Sequence, residues 1–147
     1  MGVYLCQRTI SNGRQLTFGY LDMAWFGQHN QVDNVEEFER KAIEKTMLRE
    51  QDTPGASLST MFAHIFAGGY SAGYYSYKWA EVLEADAFEM FQEEGIFNKE
   101  TARSFRNNIL SQGNIRHPLE LYKYFRGREP KVEALLKREG LLHSNHS

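Results

Sequence analysis

The chain has 147 residues, with 17 basic against 19 acidic side chains and a net charge of −2, a length that suits one ordinary domain with room for a core. A charge so nearly balanced leaves no electrostatic footprint for a nucleic-acid backbone or an anionic membrane, and neither partner is expected. Cys6 is the only cysteine, so no internal disulfide is available. With no basic stretch and apolar core at the start to mark a secretory signal, the reading is cytoplasmic.

Taken in order, the elements are helical, with no convincing strand alternation. Val3 to Phe26 sets Leu5, Leu16, Phe18, Leu21, Met23 and Trp25 among polar residues, a helical pattern interrupted by Ser11, Asn12 and Gly13. Asn34 opens NVEE, a helix start in which its side chain accepts from backbone N–H groups while Glu37 reaches back, with Phe38, Ala42 and Ile43 as the apolar stripe. Residues 49 to 56, with Pro54 and Gly55, read as a loop between motifs. SLSTMFAHIF, from Ser57 to Phe66, reads as a buried helical turn or two that Gly68 and Gly69 stop. A longer helix runs from near Ser71 to about Glu94, its stripe being Tyr75, Trp79, Val82, Leu83, Met90 and Phe91, and Gly95 ends it. Asn98 caps KETARSFRNNILSQ, Gly113 ends that helix, and Pro118 and Pro130 suit the first turns of two more, the last closing at Gly140. The fold class is therefore all-α: one bundle-like unit of about six helices over residues 1–141, with a Gly-rich kink near residues 67–70 and a flexible tail at 142–147.

Chemistry concentrates in HIFAGGYSAGYYSYKW, residues 64 to 79, which holds one histidine, a glycine pair and four tyrosines. From Thr53 to Tyr77 there is no Asp, Glu, Lys or Arg. A lining that is neutral but polar suits an uncharged ligand such as a peptide backbone, and it is too polar for a membrane span. A hydrolytic zinc site on a helix needs HExxH, and the chain has none. Its histidines are His29, His64, His117, His143 and His146; the last two read as solvated tail residues, and Cys6, with no basic partner nominated, as a packed thiol. What remains is a set of neutral donors. A tyrosine hydroxyl, with an ordinary pKa of ~10, stays protonated at neutral pH and can donate to a carbonyl oxygen that gains negative charge, and His64 can donate from one ring nitrogen. Gly68 and Gly69, lacking a Cβ, let a loop bring its backbone against a substrate. On spacing alone the alternative stands beside this one: His64 and the tyrosines as core rings, and the glycines as a simple turn.

FAHIFAGGYSAGYYSYKWAEVLEADAFEMFQEEGIFN, from Phe62 to Asn98, resembles the substrate-binding segment of the thimet oligopeptidase, oligopeptidase A and peptidyl-dipeptidase family of zinc metallopeptidases. LTFGYLDMAW at 16 to 25, VEEFERKAIEKT at 35 to 46 and FRGREPKVEALLKREGL at 125 to 141 resemble that family's other C-terminal segments in the same order. The resemblance implies the C-terminal helical portion of a zincin-like catalytic domain acting on short peptides. By position in the motif it implies that His64 and Tyr70 hold the substrate backbone, that Tyr77 donates to the oxyanion, and that Gly68 and Gly69 form the loop that closes on peptide. Tyr74 matches a further motif tyrosine on the binding side, and Trp79 sits at a motif position that reads as core. The family binds zinc through HExxH and a later glutamate, all upstream of the matched segments, and no zinc ligand is identified in this chain. The chain is thus expected to be a fragment without useful hydrolysis by itself, and to self-associate through apolar faces that upstream helices would cover. The competing class is a non-catalytic helical peptide- or protein-binding module. Lys123, Arg126 and Arg128 read as a solvated basic face rather than as partners of a substrate carboxylate.

Overall fold

A computed structural model describes residues 2–27, 31–47, 53 and 55–142, with side chains from residue 10 onward. His29, His143, His146, the Cys6 side chain, most of the 49–56 loop and the tail beyond Leu142 lie outside the described residues. The described residues form helices and turns, with no strand, in agreement with the all-α expectation. The helices are α1 (Gly2–Phe26), α2 (Val35–Ile43), α3 (Leu58–Met61), α4 (His64–Ala67), α5 (Ser76–Glu94), α6 (Lys99–Phe105), α7 (Pro118–Arg126) and α8 (Glu133–Arg138), with a π-helical turn at Arg106–Leu110. None of the described helices is long and apolar enough to cross a membrane. Two compact units result, Met1–Lys78 and Trp79–Ser147.

In the first unit α1 is the spine. Among its described side chains Thr17, Phe18, Leu21 and Asp22 are the buried ones, a spacing that puts them on one face. The helix runs unbroken through Ser11, Asn12 and Gly13, although an interior glycine costs about 1 kcal/mol against alanine. Tertiary ties beside this place accompany the continuity: Lys78 Nζ donates to Asn12 Oδ1 at 2.5 Å, and Thr17 Oγ1, which also donates within the helix to the Gly13 carbonyl, donates to Thr46 Oγ1 at 3.0 Å. The helix α2 starts at Asn34, whose Oδ1 accepts from the Glu37 N–H at 3.1 Å, and it buries Ile43 and Glu39. Trp25 of α1 packs on Phe38 of α2, ring centroids 4.5 Å apart.

The stretch from Ser57 to Phe66, read as a helical turn or two, is two separate turns, α3 and α4, broken at Phe62 (φ −100°, ψ 70°). At the break the Phe62 ring stacks on Phe18 at 4.1 Å and 12° and meets Tyr74 edge-on at 5.1 Å. Phe18, Ile65 and Tyr74 form the buried centre of this unit, with Trp25, Leu58, Phe62 and Tyr70 packed around it. Each such side chain, once buried, contributes about 1.5–3 kcal/mol through the water it no longer orders. Between α4 and α5 lies a turn region where a helix from Ser71 was expected; α5 begins at Ser76.

In the second unit α5 has two packed sides. Val82 and Ala85 meet Ala134 and Leu135 of α8, while Ala87 joins Tyr122 and Phe125 of α7, with Leu83, Met90, Phe91, Phe105 and Ile109 around them. Trp79, read as core, is 50% exposed. Asn98 caps α6 by accepting from the Glu100 and Thr101 N–H groups, and His117 caps α7 through Nδ1, which accepts from Leu119, with Pro118 next. Gly127 ends α7 at φ +74°, a left-handed position that glycine occupies at no steric cost. Pro130 stands before the last helix rather than in it, since α8 starts at Glu133.

Of the three basic residues read as a solvated face, Arg126 and Arg128 are instead drawn into ion pairs with Asp86, while the Lys123 side chain stays 46% exposed. Asp86, fully buried, accepts from Arg128 through both guanidinium nitrogens at 2.7 and 3.1 Å and from the Tyr122 hydroxyl at 2.6 Å. Arg126 pairs with Glu93 at 3.0 Å and Glu89 at 3.5 Å, and Lys123 with Glu129 at 2.7 Å. Burial pushes the Asp86 carboxyl up, but the hydrogen bonds from Arg128 and Tyr122 and the charges of Arg128 and Arg126 hold it below its ordinary value. The same burial, reinforced by Asp86, pushes the Tyr122 phenol well up, so it stays a donor.

Candidate functional site

The uncharged segment folds into a turn of aromatic rings carried by the first unit. His64 opens α4 and is exposed, Tyr70 is half-buried, Tyr74 is 6% exposed and Tyr77, in the first turn of α5, is 38% exposed. All four are in contact. The His64 ring lies 4.7 Å from Tyr70, 5.9 Å from Tyr74 and 6.2 Å from Tyr77, each edge-on, while Tyr70 stacks on Tyr77 at 5.3 Å and Tyr74 tilts against Tyr77 at 5.0 Å. Every residue singled out from the sequence for substrate or oxyanion contact is thus in this turn, with Gly68 and Gly69 between His64 and Tyr70.

The rings differ in what their polar ends do. The Tyr74 hydroxyl donates to Gln15 Oε1 of α1 at 3.1 Å, and burial pushes its phenol above the ordinary value, so this residue faces inward. The Tyr70 hydroxyl beside it pushes the Tyr77 phenol up, and desolvation and the neighbouring Tyr70 and Tyr74 phenols act in the same direction. Tyr77 is therefore a phenol held protonated across the neutral range, able to donate but not to attack. With His64 it offers hydrogen-bonding groups at an accessible surface.

The backbone between the rings is pinned from outside. Ser71 Oγ donates to the Ile65 carbonyl at 2.7 Å, and Gly69 turns at φ +75°. Ala72 holds φ +55°, a left-handed conformation that a residue with a Cβ seldom adopts. Its N–H donates to Oδ1 of Asp22 at 2.9 Å, and the Tyr74 N–H donates to Oδ2 at 2.9 Å. A second buried carboxylate, Glu39, does the same at the segment's start. It accepts from Ser57 Oγ at 2.8 Å and from the Leu58 and Ser59 N–H groups at 2.8 and 2.7 Å, so α3 is capped by Glu39 and not by Ser57. Trp25 Nε1 then donates to Ser59 Oγ at 2.8 Å.

Asp22 and Glu39 were not singled out from the sequence. Their signal was present: Asp22 follows Phe18 by four residues and Glu39 precedes Ile43 by four, so each is an acid on the apolar face of its helix. A charge at such a position needs buried hydrogen-bond donors, and here they are backbone amides and, for Glu39, also the Ser57 hydroxyl.

Among the described residues no group of three or more His, Cys, Asp or Glu side chains is placed to hold a metal ion. The ring turn itself brings one imidazole among phenols, which does not fit a zinc donor set of nitrogen, thiolate or carboxylate ligands.

The described residues are helices and turns, and they present an imidazole and phenols together on a glycine turn. Residues 5–141 match Peptidase family M3, and the chain belongs to that family. It is 46% identical over 129 residues to oligopeptidase A of Escherichia coli (strain K12), covering 87% of this chain and 19% of that protein. It is 42% identical over 148 residues to the probable cytosolic oligopeptidase A of Arabidopsis thaliana, covering 94% and 21%. With the dipeptidyl carboxypeptidase of Escherichia coli (strain K12) it shares 37% over 128 residues, covering 86% and 19%. The chain spans about a fifth of the length of these curated relatives.

Proposed function

We propose that this chain is the substrate-binding and oxyanion-stabilising portion of a zinc metallopeptidase that hydrolyses short peptides. The observation that carries the reading is the mutual contact of His64, Tyr70 and Tyr77 on an accessible, uncharged turn. A peptide carbonyl gains negative charge as it becomes tetrahedral, and fixed neutral donors stabilise that charge more than the ground state. In this reading Tyr77 donates to the developing oxyanion. His64 and Tyr70 hold the substrate backbone, Gly68 and Gly69 let the loop approach it, and Tyr74 backs the site with its ring. Zinc, as in the wider family, supplies an activated water; its ligands do not come from the described residues, and the chain by itself is inactive.

The relatives' names support peptide hydrolysis as the class, since they include both oligopeptidases and a dipeptidyl carboxypeptidase. The cytoplasm is the proposed location. Exposed apolar side chains on α1, among them Ile10, Leu16 and Met23, support self-association of the isolated chain.

The deciding experiment replaces the matching portion of the Escherichia coli oligopeptidase A with residues 5–141 and compares Tyr77→Phe with the parent chimera. A loss of kcat with little change in KM is expected. If turnover is unchanged while peptide affinity falls, the chain is instead a peptide-binding module. In parallel, zinc-dependent peptide cleavage by the purified 147-residue chain would overturn its inactivity.

A further inference from the structure

We propose that Asp22 is a positioning residue of the site: its carboxylate sets the backbone of the tyrosine turn and thereby the directions of the Tyr74 and Tyr77 rings. This rests on the reading of the turn as the peptide-binding surface, and it adds a residue from α1 that touches no substrate.

Asp22 is fully buried, and among the described residues its oxygens accept only from the Ala72 and Tyr74 N–H groups, one oxygen each. A buried carboxylate without a cation is costly unless such donors satisfy it. The two amides flank Gly73, so the grip is on the left-handed Ala72 and on the residue that leads into α5. The spine helix also grips the other end of Tyr74. Gln15, seven residues before Asp22 and therefore on the same face, takes its hydroxyl, and Phe18 lies between them with its ring edge-on to Tyr74 at 5.8 Å. Tyr74 is thus held along α1 at main chain, ring and hydroxyl. Its ring in turn backs Tyr77 at 5.0 Å and His64 at 5.9 Å. Orientation passes from the carboxylate to the amide, then to the Tyr74 ring, and then to the rings that face solvent.

The geometry makes a graded prediction. Asp22→Asn keeps the shape but turns one acceptor into an NH2 group aimed at an N–H, so one tether is lost; Asp22→Ala loses both. The test uses NMR on the 147-residue chain. In Asp22→Asn one of the Ala72 and Tyr74 amides, and in Asp22→Ala both, should exchange roughly ten-fold faster or more. The nuclear Overhauser contacts of His64 with Tyr70 and of Tyr70 with Tyr77 should weaken, while the Phe18–Phe62 stack persists. Leu21→Ala, a neighbouring core truncation, should cost stability and leave the ring contacts intact. If Asp22→Asn keeps wild-type ring contacts, or Leu21→Ala loses them equally, the proposal falls. Unprotected Ala72 and Tyr74 amides in the wild type would also overturn it, whatever the variants do. Titration with end-blocked trialanine separates the two readings: a wild type whose His64 and Tyr77 signals ignore the peptide counts against the proposed function, while the ring contacts still judge Asp22.

Discussion

Gly68 and His64 are fitted to each other: a Cβ built on Gly68 would stand 2.8 Å from Cδ2 of the His64 ring and 2.6 Å from the His64 carbonyl oxygen. Gly68 itself is at φ −98°, an ordinary backbone angle, so the demand for glycine comes from closeness and not from backbone conformation. Gly68→Ala should therefore push the histidine off its place beside Tyr70. The expected cost is about 1–3 kcal/mol of stability, as for other overpacked sites, with a shift of the His64 ring signals. Urea denaturation and NMR check both. An unchanged His64 signal would show that the loop gives way without moving the ring.

The Tyr70 hydroxyl pushes the Tyr77 phenol up, ahead of desolvation and of the charges of Tyr70 and Tyr74. Tyr70→Phe removes that hydroxyl, so the Tyr77 phenol should ionise at lower pH than in the wild type. Ultraviolet absorbance titration above neutral pH reads this directly. In the chimeric peptidase, Tyr77→Phe should lower kcat by about 10²-fold, the usual scale for one lost oxyanion donor.

Acid should weaken the first unit through Glu39. Burial pushes its carboxyl up, but the hydrogen bonds from Ser59, Leu58 and Ser57 outweigh this and hold it below its ordinary value near 4.5. A carboxyl depressed on folding adds stability that is fully present above the unfolded value and is lost as pH falls through the folded one. Glu39→Gln should flatten this acid limb and cost about 1–3 kcal/mol at neutral pH, because one amide loses its acceptor. Thermal melts across the acid range test it; a variant that keeps the parent's acid slope would refute the assignment.

In the second unit, Asp86→Ala leaves the Arg128 guanidinium and the Tyr122 hydroxyl without their acceptor. Removing one partner of a buried pair costs about 3–5 kcal/mol. A loss well under 1 kcal/mol in denaturant unfolding would mean that water replaces Asp86 without penalty.

Helix ends were the most legible part of the sequence, because their signals are local. Asn34, Asn98 and Pro118 each begin a helix through groups within three residues of them, and Gly95 follows the end of α5 as expected. Where long-range contacts decide, local reading failed. Nothing near Gly13 reveals that Lys78 ties the adjoining Asn12, and nothing near Phe62 reveals the Phe18 ring it turns to meet. The π-helical turn at Arg106–Leu110, where continued α-helix was expected, comes with Ile109 packed beside Phe105 on the α5–α7 core. Trp79 followed the stripe in sequence yet stays half exposed, since periodicity says which side a residue faces and not whether that side is covered. In the site, the ring-bearing residues stood out by composition. The acids that hold them did not, being more than 15 positions away in sequence from the groups they bind.

The stretch from Thr53 to Tyr77 has no formal charge of its own, but it is fastened near both ends by carboxylates from α1 and α2. For protein engineering this means that the tyrosine motif is not a portable cassette. Grafted onto a foreign scaffold without an Asp22 and a Glu39 at matching heights, the same letters would be free to settle into another shape.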